Sequence, residues 1–224
     1  MNFCAASDQA LLVYLGEEIG LAAHERVLKL LRALQKESPK WVRNLQPAYT
    51  SLMITFDPCL VDHAQVEATL RKLEKHSRAA RRRKPPTLEI PVCYGGEFGP
   101  DLELIAELHG IKVSEVISIH TSQTYHAYFL GFAPGFAYLG DLPRRIATPR
   151  LETPRKKVPV GSVGVAGRQT AVYPFATPGG WRLIGRTPKV MFQSGRKPMP
   201  AISIGDQVKF RAISREEFLK MERA

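Results

Sequence analysis

The sequence predicts an α+β protein of two domains: a small N-terminal α/β sandwich over residues 1–84 and a mostly β domain over 85–224. Three observations predict it. Helical and strand-like hydrophobic periods alternate over the first eighty residues. The run Arg78 to Pro86 (RAARRRKPP) then interrupts both periods with solvated charge and a Pro-Pro pair that cannot continue a helix. Beyond Pro143, short apolar segments alternate with Gly/Pro turns at the spacing of a β-barrel.

Taken in order, Ala10–Tyr14 (ALLVY) reads as a first strand closed by Gly16. Glu17–Lys36 reads as a helix, with Ala23, Val27, Leu30, Leu31 and Leu34 on one face and acids in the first turn. Val42–Gln46 and Ser51–Phe56 read as strands. Asp62 caps a second helix, paired with Gln65 in a capping box and carrying Val66, Leu70 and Leu73 inward. The predicted order is β-α-β-β-α.

In the second domain Thr87–Tyr94 opens as a strand. A helix follows with Pro100 at its start and Leu104, Ile105 and Leu108 on its buried face. Ser114 caps another helix that ends at His120. Tyr125–Phe132 is an aromatic strand broken at Ala133–Phe136. Ser162–Ala166 and Gln169–Tyr173 pair as a hairpin around Gly167-Arg168, Val190–Phe192 and Gln207–Ile213 supply later strands, and Ser214 with Glu217 caps a terminal helix.

Composition narrows the function classes. No apolar run reaches the length that spans a bilayer, and the N-terminus lacks the basic region of a secretory signal, so a cytoplasmic protein with no membrane role is expected. Three widely spaced cysteines and scattered histidines indicate neither a disulfide framework nor a metal site. The net charge of +11 is confined to one segment: Leu142 to Gly205 holds twelve Lys/Arg against the single acid Glu152, and the remainder of the chain is balanced. The run at 78–86 has no interleaved aromatics, and the 101–120 helix pair has no basic recognition helix, so no nucleic-acid partner is expected.

At the centre of the positive segment lies Val158–Arg186, with six glycines, three prolines, three arginines and no Asp, Glu or Lys. Such a stretch fits an anion-binding surface of tight turns, where arginines offer planar, bidentate recognition. It equally fits a Gly-rich barrel wall with solvated arginines. Phosphate-loop, HExxH, GxSxG and GxGxxG motifs are missing. His120 and His126 flank Thr121-Ser122, which reads either as a nucleophile beside a base or as local structure.

Longer runs carry a resemblance. CYGGEFGPDLE at 93–103, FLGFAPGFAYLGDLP at 129–143 and ATPR…TPR..VP.GSVGVAG.QT..YP…PGGWRLIGRTP between 147 and 188, with ALLVYLGEEI and QPAYTSLMITFDP earlier, resemble one family across nearly the whole chain. It is the family of 5-oxoprolinase B subunits, also described as allophanate hydrolase subunit 1 and as the sporulation-kinase inhibitor KipI. The resemblance implies that the second domain is a cyclophilin-like β-barrel. It implies a non-autonomous enzyme component that cleaves 5-oxoproline to glutamate at the expense of ATP, with Mg2+. The site would be shared with a partner of the C type, and a chain of the A type would accompany both. The alternative it carries is inhibition of a histidine kinase; peptidyl-prolyl isomerase activity would rest on barrel analogy alone.

Within that reading Arg155, Arg182 and Arg186 are the expected anion-binding side chains, Arg155 with a catalytic role in stabilising transferring phosphoryl charge. Gly161, Gly164, Gly179 and Gly180 would admit close backbone approach, Gln169 would fix a ligand amide or phosphate, and His120 would transfer a proton. Trp181 is a ligand wall or core. The sequence departs from the family's usual VPAGSVGIAGGQTG at Val160, Arg168 and Ala171; Arg168 falls in a tight turn where glycine is customary.

Overall fold

The computed structural model describes residues 1–76, 87–195 and 201–223. The chain divides into two compact units, Met1–Lys84 and Pro85–Ala224. The basic run at 78–86 lies outside the described residues.

The first unit contains strands β1 (Asn2–Ser7) and β2 (Ala10–Tyr14), helix α1 (Leu21–Glu37), strands β3 (Val42–Pro47) and β4 (Ser51–Phe56), and helix α2 (His63–His76). The sheet order is β1-β2-β4-β3, antiparallel throughout. Alternation along β4 explains its burial: Leu52, Ile54 and Phe56 are fully enclosed while Ser51, Met53 and Thr55 are half-buried. Those three join Leu11, Val13, Val27, Leu30, Leu34, Val66 and Leu70 in one core, each large side chain contributing about 1.5–3 kcal/mol by leaving water.

Two expectations change here. β1 is an additional edge strand. Its NFCAAS sequence has a single large apolar residue, and the backbone ladder to β2 holds it, with Phe3 opposite Val13. Helix α1 begins after Gly20, so Glu17 and Glu18 precede it and its first turn carries no acid. The capping box of α2 forms as read: Asp62 Oδ1 accepts from the Gln65 amide at 2.8 Å, and Gln65 Oε1 accepts from the Asp62 amide at 2.9 Å.

The second unit contains β5 (Thr87–Tyr94), α3 (Leu102–His109), α4 (Val113–Ser122), β6 (Tyr125–Leu130), β7 (Ala137–Gly140), a 3-10 turn (Arg144–Ile146), β8 (Arg155–Val158), β9 (Ser162–Ala166), β10 (Gln169–Val172), β11 (Thr177–Gly179), β12 (Arg182–Arg186), β13 (Gln207–Ala212) and α5 (Arg215–Glu222). Seven strands close into a barrel in the order β10-β7-β6-β13-β5-β12-β9, and β11 with β8 forms a separate two-stranded ribbon. Ile90, Val92, Tyr125, Leu139, Val163, Val165, Ile184, Val208 and Phe210 fill the barrel core.

Helix α3 is rotated from its expected phase. Leu102, Ile105 and Ala106 face the core, an i, i+3, i+4 stripe, whereas Leu104 and Leu108 are exposed. Helix α4 starts from Lys112, so Ser114 is not its cap. Strand β6 stops at Leu130 because Phe132 takes a left-handed φ of 67° that a strand cannot hold. Val190–Phe192 forms no strand; instead the Met191 carbonyl accepts from the Ala201 amide at 3.0 Å. The β9–β10 hairpin forms, with Gly167 at φ 53° and Arg168 outside the left-handed region. Arg168 is tolerated because a Gly-X turn of this kind needs positive φ only at its first position.

Candidate functional site

His120 ends up at the last turn of α4, wholly enclosed in the barrel. Its Nδ1 lies 2.7 Å from the Tyr94 hydroxyl and its Nε2 lies 3.0 Å from Thr170 Oγ1. Thr170 Oγ1 donates to the Gly164 carbonyl at 3.0 Å, so its proton is committed there and the hydroxyl oxygen accepts from Nε2–H. Nδ1 then accepts from Tyr94. The result is a directed chain, Tyr94 to His120 to Thr170 to Gly164. Phe210 stacks on the imidazole at 4.5 Å, and burial holds its pKa down at about 3, so the ring is neutral. Neighbouring Thr121 and Ser122 return their hydroxyls to the helix carbonyls of Ile117 and Ile119. These bonds match the local-structure alternative for this stretch.

Arg155, on β8, is half-buried and has a carboxylate partner. Its Nη2 donates to Asp101 Oδ1 at 2.7 Å and its Nη1 to the Trp181 carbonyl at 3.3 Å. Asp101 Oδ2 accepts from the Leu183 amide at 2.6 Å. One carboxylate therefore ties the start of α3 to both β8 and β12.

The glycines divide by what surrounds them. Gly161 sits at φ 79°, and a Cβ there would collide with the Thr187 carbonyl oxygen. At Gly164 a Cβ would stand 3.1 Å from Trp181 Cβ, and at Gly179 it would press into the Tyr173 phenol. Protein atoms crowd all three, severely at Gly161 and Gly179 and by a few tenths of an ångström at Gly164. Gly180 differs, since a Cβ would meet nothing nearer than Pro154 Cγ at 3.6 Å. Gln169 is half-buried at the start of β10, opposite Ala166.

Trp181 is core: 5% exposed, it meets Phe136 and Tyr138 edge-on at 5.5 and 5.9 Å. Arg182 Nε donates to the Pro149 carbonyl at 3.4 Å. Arg186 is elsewhere. Its Nε donates to the Val160 carbonyl at 2.8 Å, and its guanidinium lies 5.8 Å over Phe218 and 3.8 Å from Glu222 of α5. Four positions apart on one strand, Arg182 and Arg186 are separated by about 13 Å. The expected trio is thus split into Arg155 and Arg182 beside Trp181, and Arg186 at the α5 end.

A residue that the sequence reading does not single out joins the first group. Arg150 places its guanidinium 5.8 Å over the Trp181 ring. The available signal is the doubling of Thr-Pro-Arg at 148–150 and 153–155. Arg150 thus stands over the buried indole, Arg155 holds the Trp181 carbonyl, and Arg182 holds the carbonyl of Pro149, next to Arg150. Burial pushes the nearby phenols of Tyr138 and Tyr173 up, and the Arg150 charge opposes that rise in both. Such an arrangement suits a planar anion.

The comparisons with known proteins converge on one family. Residues 1–202 match the carboxyltransferase domain, subdomain C and D. The chain is 40% identical to the 5-oxoprolinase B subunit of Bacillus subtilis over 94% of its own length and 92% of that protein. It is 35% identical to the 5-oxoprolinase B subunit of Haemophilus influenzae over 94% and 97%. The crystal structure of TTHA0988 superposes with a TM-score of 0.82 at 31% identity over 93% of this chain, which spans 40% of the TTHA0988 chain. No helix among the described residues is long and apolar enough to cross a membrane. The seven-stranded barrel, the sequence runs at 93–103, 129–143 and 147–188 and these matches agree: the chain belongs to the carboxyltransferase domain C and D family, alongside the B subunits of 5-oxoprolinases.

Proposed function

We propose that this chain is the B subunit of an ATP-dependent 5-oxoprolinase and supplies one side of a site completed by a C-type partner, with an A-type chain in the same assembly. The observation that carries the reading is correspondence with 5-oxoprolinase B subunits over more than nine-tenths of both chains. The geometry supports it through Arg150 over the Trp181 ring, Arg155 on the Trp181 carbonyl and Arg182 on the carbonyl beside Arg150, in the segment that holds all of the chain's net charge.

Lactam cleavage proceeds in this reading by transfer of a phosphoryl group from ATP to the lactam oxygen, breaking the terminal anhydride and releasing ADP. Water then adds to the ring carbon and the C–N bond opens to leave glutamyl phosphate, which a second water hydrolyses to glutamate and phosphate. Every species bound carries negative charge, which guanidinium groups on a rigid β-framework stabilise without reorganising. Among the described residues no three His, Cys, Asp or Glu side chains gather as metal ligands; in this reading Mg2+ travels with the nucleotide phosphates. His120 acts as a positioning residue, because its two ring nitrogens are committed to Tyr94 and Thr170 and it fixes the β10 and β9 backbone behind Trp181.

The test is an omission assay. The chain is combined with the C-type and A-type chains from the same organism, ATP and 5-oxoproline, and glutamate and ADP are measured. The reading predicts coupled release of both products only when all chains are present. Equal rates without this chain would overturn it.

A further inference from the structure

Arg150 differs from most of its charged neighbours. Arg145 pairs with Glu115, Arg155 with Asp101, and Arg211 with Glu89 and Glu217. No carboxylate pairs with Arg150 or Arg182 among the described residues. Arg150 is exposed and Arg182 half-buried, yet each is held by a contact. Arg150 lies on the indole face of Trp181, which Phe136 and Tyr138 hold from the sides. Arg182 is tied by its Nε to the carbonyl of Pro149, the residue just before Arg150. Arg182 is therefore tied to the backbone that carries Arg150, whose guanidinium carbon stands 5.8 Å from the centre of the indole. Stacking on an aromatic face leaves the N–H edge of a guanidinium available to an acceptor. An anion that reaches both supplies the counter-charge that each lacks among the described residues.

We propose that Arg150, seated on Trp181 and working with Arg182, is an anion receptor for a carboxylate or phosphoryl group of the ligand, and that Arg155, committed to Asp101, holds the framework beneath it. This rests on the 5-oxoprolinase reading. The shared chemistry is a planar or tetrahedral oxyanion; the carboxylate of 5-oxoproline and the phosphates of ATP are its two sources.

The test uses the full assembly with the C-type and A-type chains, and variants Arg150→Gln, Arg150→Lys and, as a control for simple loss of charge in the same segment, Arg145→Gln. Each substrate is varied while the other saturates, and thermal unfolding of each variant is recorded. Loss of a bidentate charge-assisted contact should raise KM for one anionic substrate about tenfold or more in Arg150→Gln, with kcat little changed. Arg150→Lys should fall between, since it keeps the charge without the fork. A rise confined to 5-oxoproline identifies the carboxylate, and one confined to ATP the phosphates. Unchanged KM values for both substrates in a folded Arg150→Gln assembly overturn the inference, as does an equal effect in Arg145→Gln. A wild-type assembly that forms no glutamate overturns the 5-oxoprolinase reading and this inference with it, an outcome distinct from active wild type with an indifferent variant.

Discussion

Asp101 and Arg155 are 54 residues apart in sequence, yet their side chains meet at 2.7 Å, with Asp101 9% and Arg155 27% exposed. The second carboxylate oxygen accepts from the Leu183 amide. Removing the charge while keeping the shape, as in Asp101→Asn, leaves an acceptor for Leu183 but strips Arg155 of its partner. The variant should lose about 2 kcal/mol of stability. Denaturant titration would read this as a lower midpoint at unchanged slope; an unmoved midpoint would show that the pair contributes nothing.

His120 predicts a pH dependence whose sign follows from burial. Its pKa is about 3 when folded against an ordinary value of 6.5. Between those values the unfolded chain binds a proton that the folded chain does not, so the neutral ring's contribution is complete above pH 6.5. It is lost as pH falls through the window, at up to about 1.4 kcal/mol per pH unit. The phenols facing it, Tyr94 and Tyr125, are pushed up by burial and stay neutral throughout. Stability measured from pH 7 to pH 4 should fall less steeply in His120→Gln than in the wild type. Identical slopes would remove His120 as the titrating group.

The glycines separate framework from binding surface. Gly161→Ala must accept both a left-handed φ and a Cβ driven at the Thr187 carbonyl, and should cost about 2 kcal/mol or more. Gly180→Ala adds a methyl at ordinary contact distance from Pro154 and should change stability by less than about 0.5 kcal/mol. If Gly180 borders the ligand, its variant should show a raised KM in the assembled enzyme at wild-type melting temperature. A stable variant with unchanged KM would place Gly180 outside the site.

What the sequence reveals follows the range of the forces involved. Local signals read well: the Ser51–Phe56 alternation and the Asp62/Gln65 and Ser214/Glu217 capping boxes all appear in the structure. Longer-range relations do not. β13 runs parallel to β5, with Gln207 opposite Thr87, a pairing that no local pattern encodes. Arg155 reads as a free cation because Asp101 lies so far upstream, and Arg150 does not stand out because nothing near it announces the indole of Trp181 beneath. His120 reads as a proton-transfer group because enclosure by Tyr94, Tyr125, Thr170 and Phe210 is a property of barrel closure, not of its neighbours in the chain. Val158–Arg186 stands open between barrel wall and anion surface in the sequence, and the structure supplies the wall. β9, β10 and β12 are barrel strands, and Arg182, the first residue of β12, reaches the Pro149 carbonyl.

If this chain is an obligatory part of a 5-oxoproline-cleaving assembly, its amount must set the rate. Titrating it into fixed amounts of the C-type and A-type chains, with ATP and 5-oxoproline in excess, tests that dependence most directly. Glutamate formation should rise from background and saturate at a fixed molar ratio, with ADP released alongside. A rate that is already maximal without the chain, or that stays at background at every ratio, would contradict the assignment.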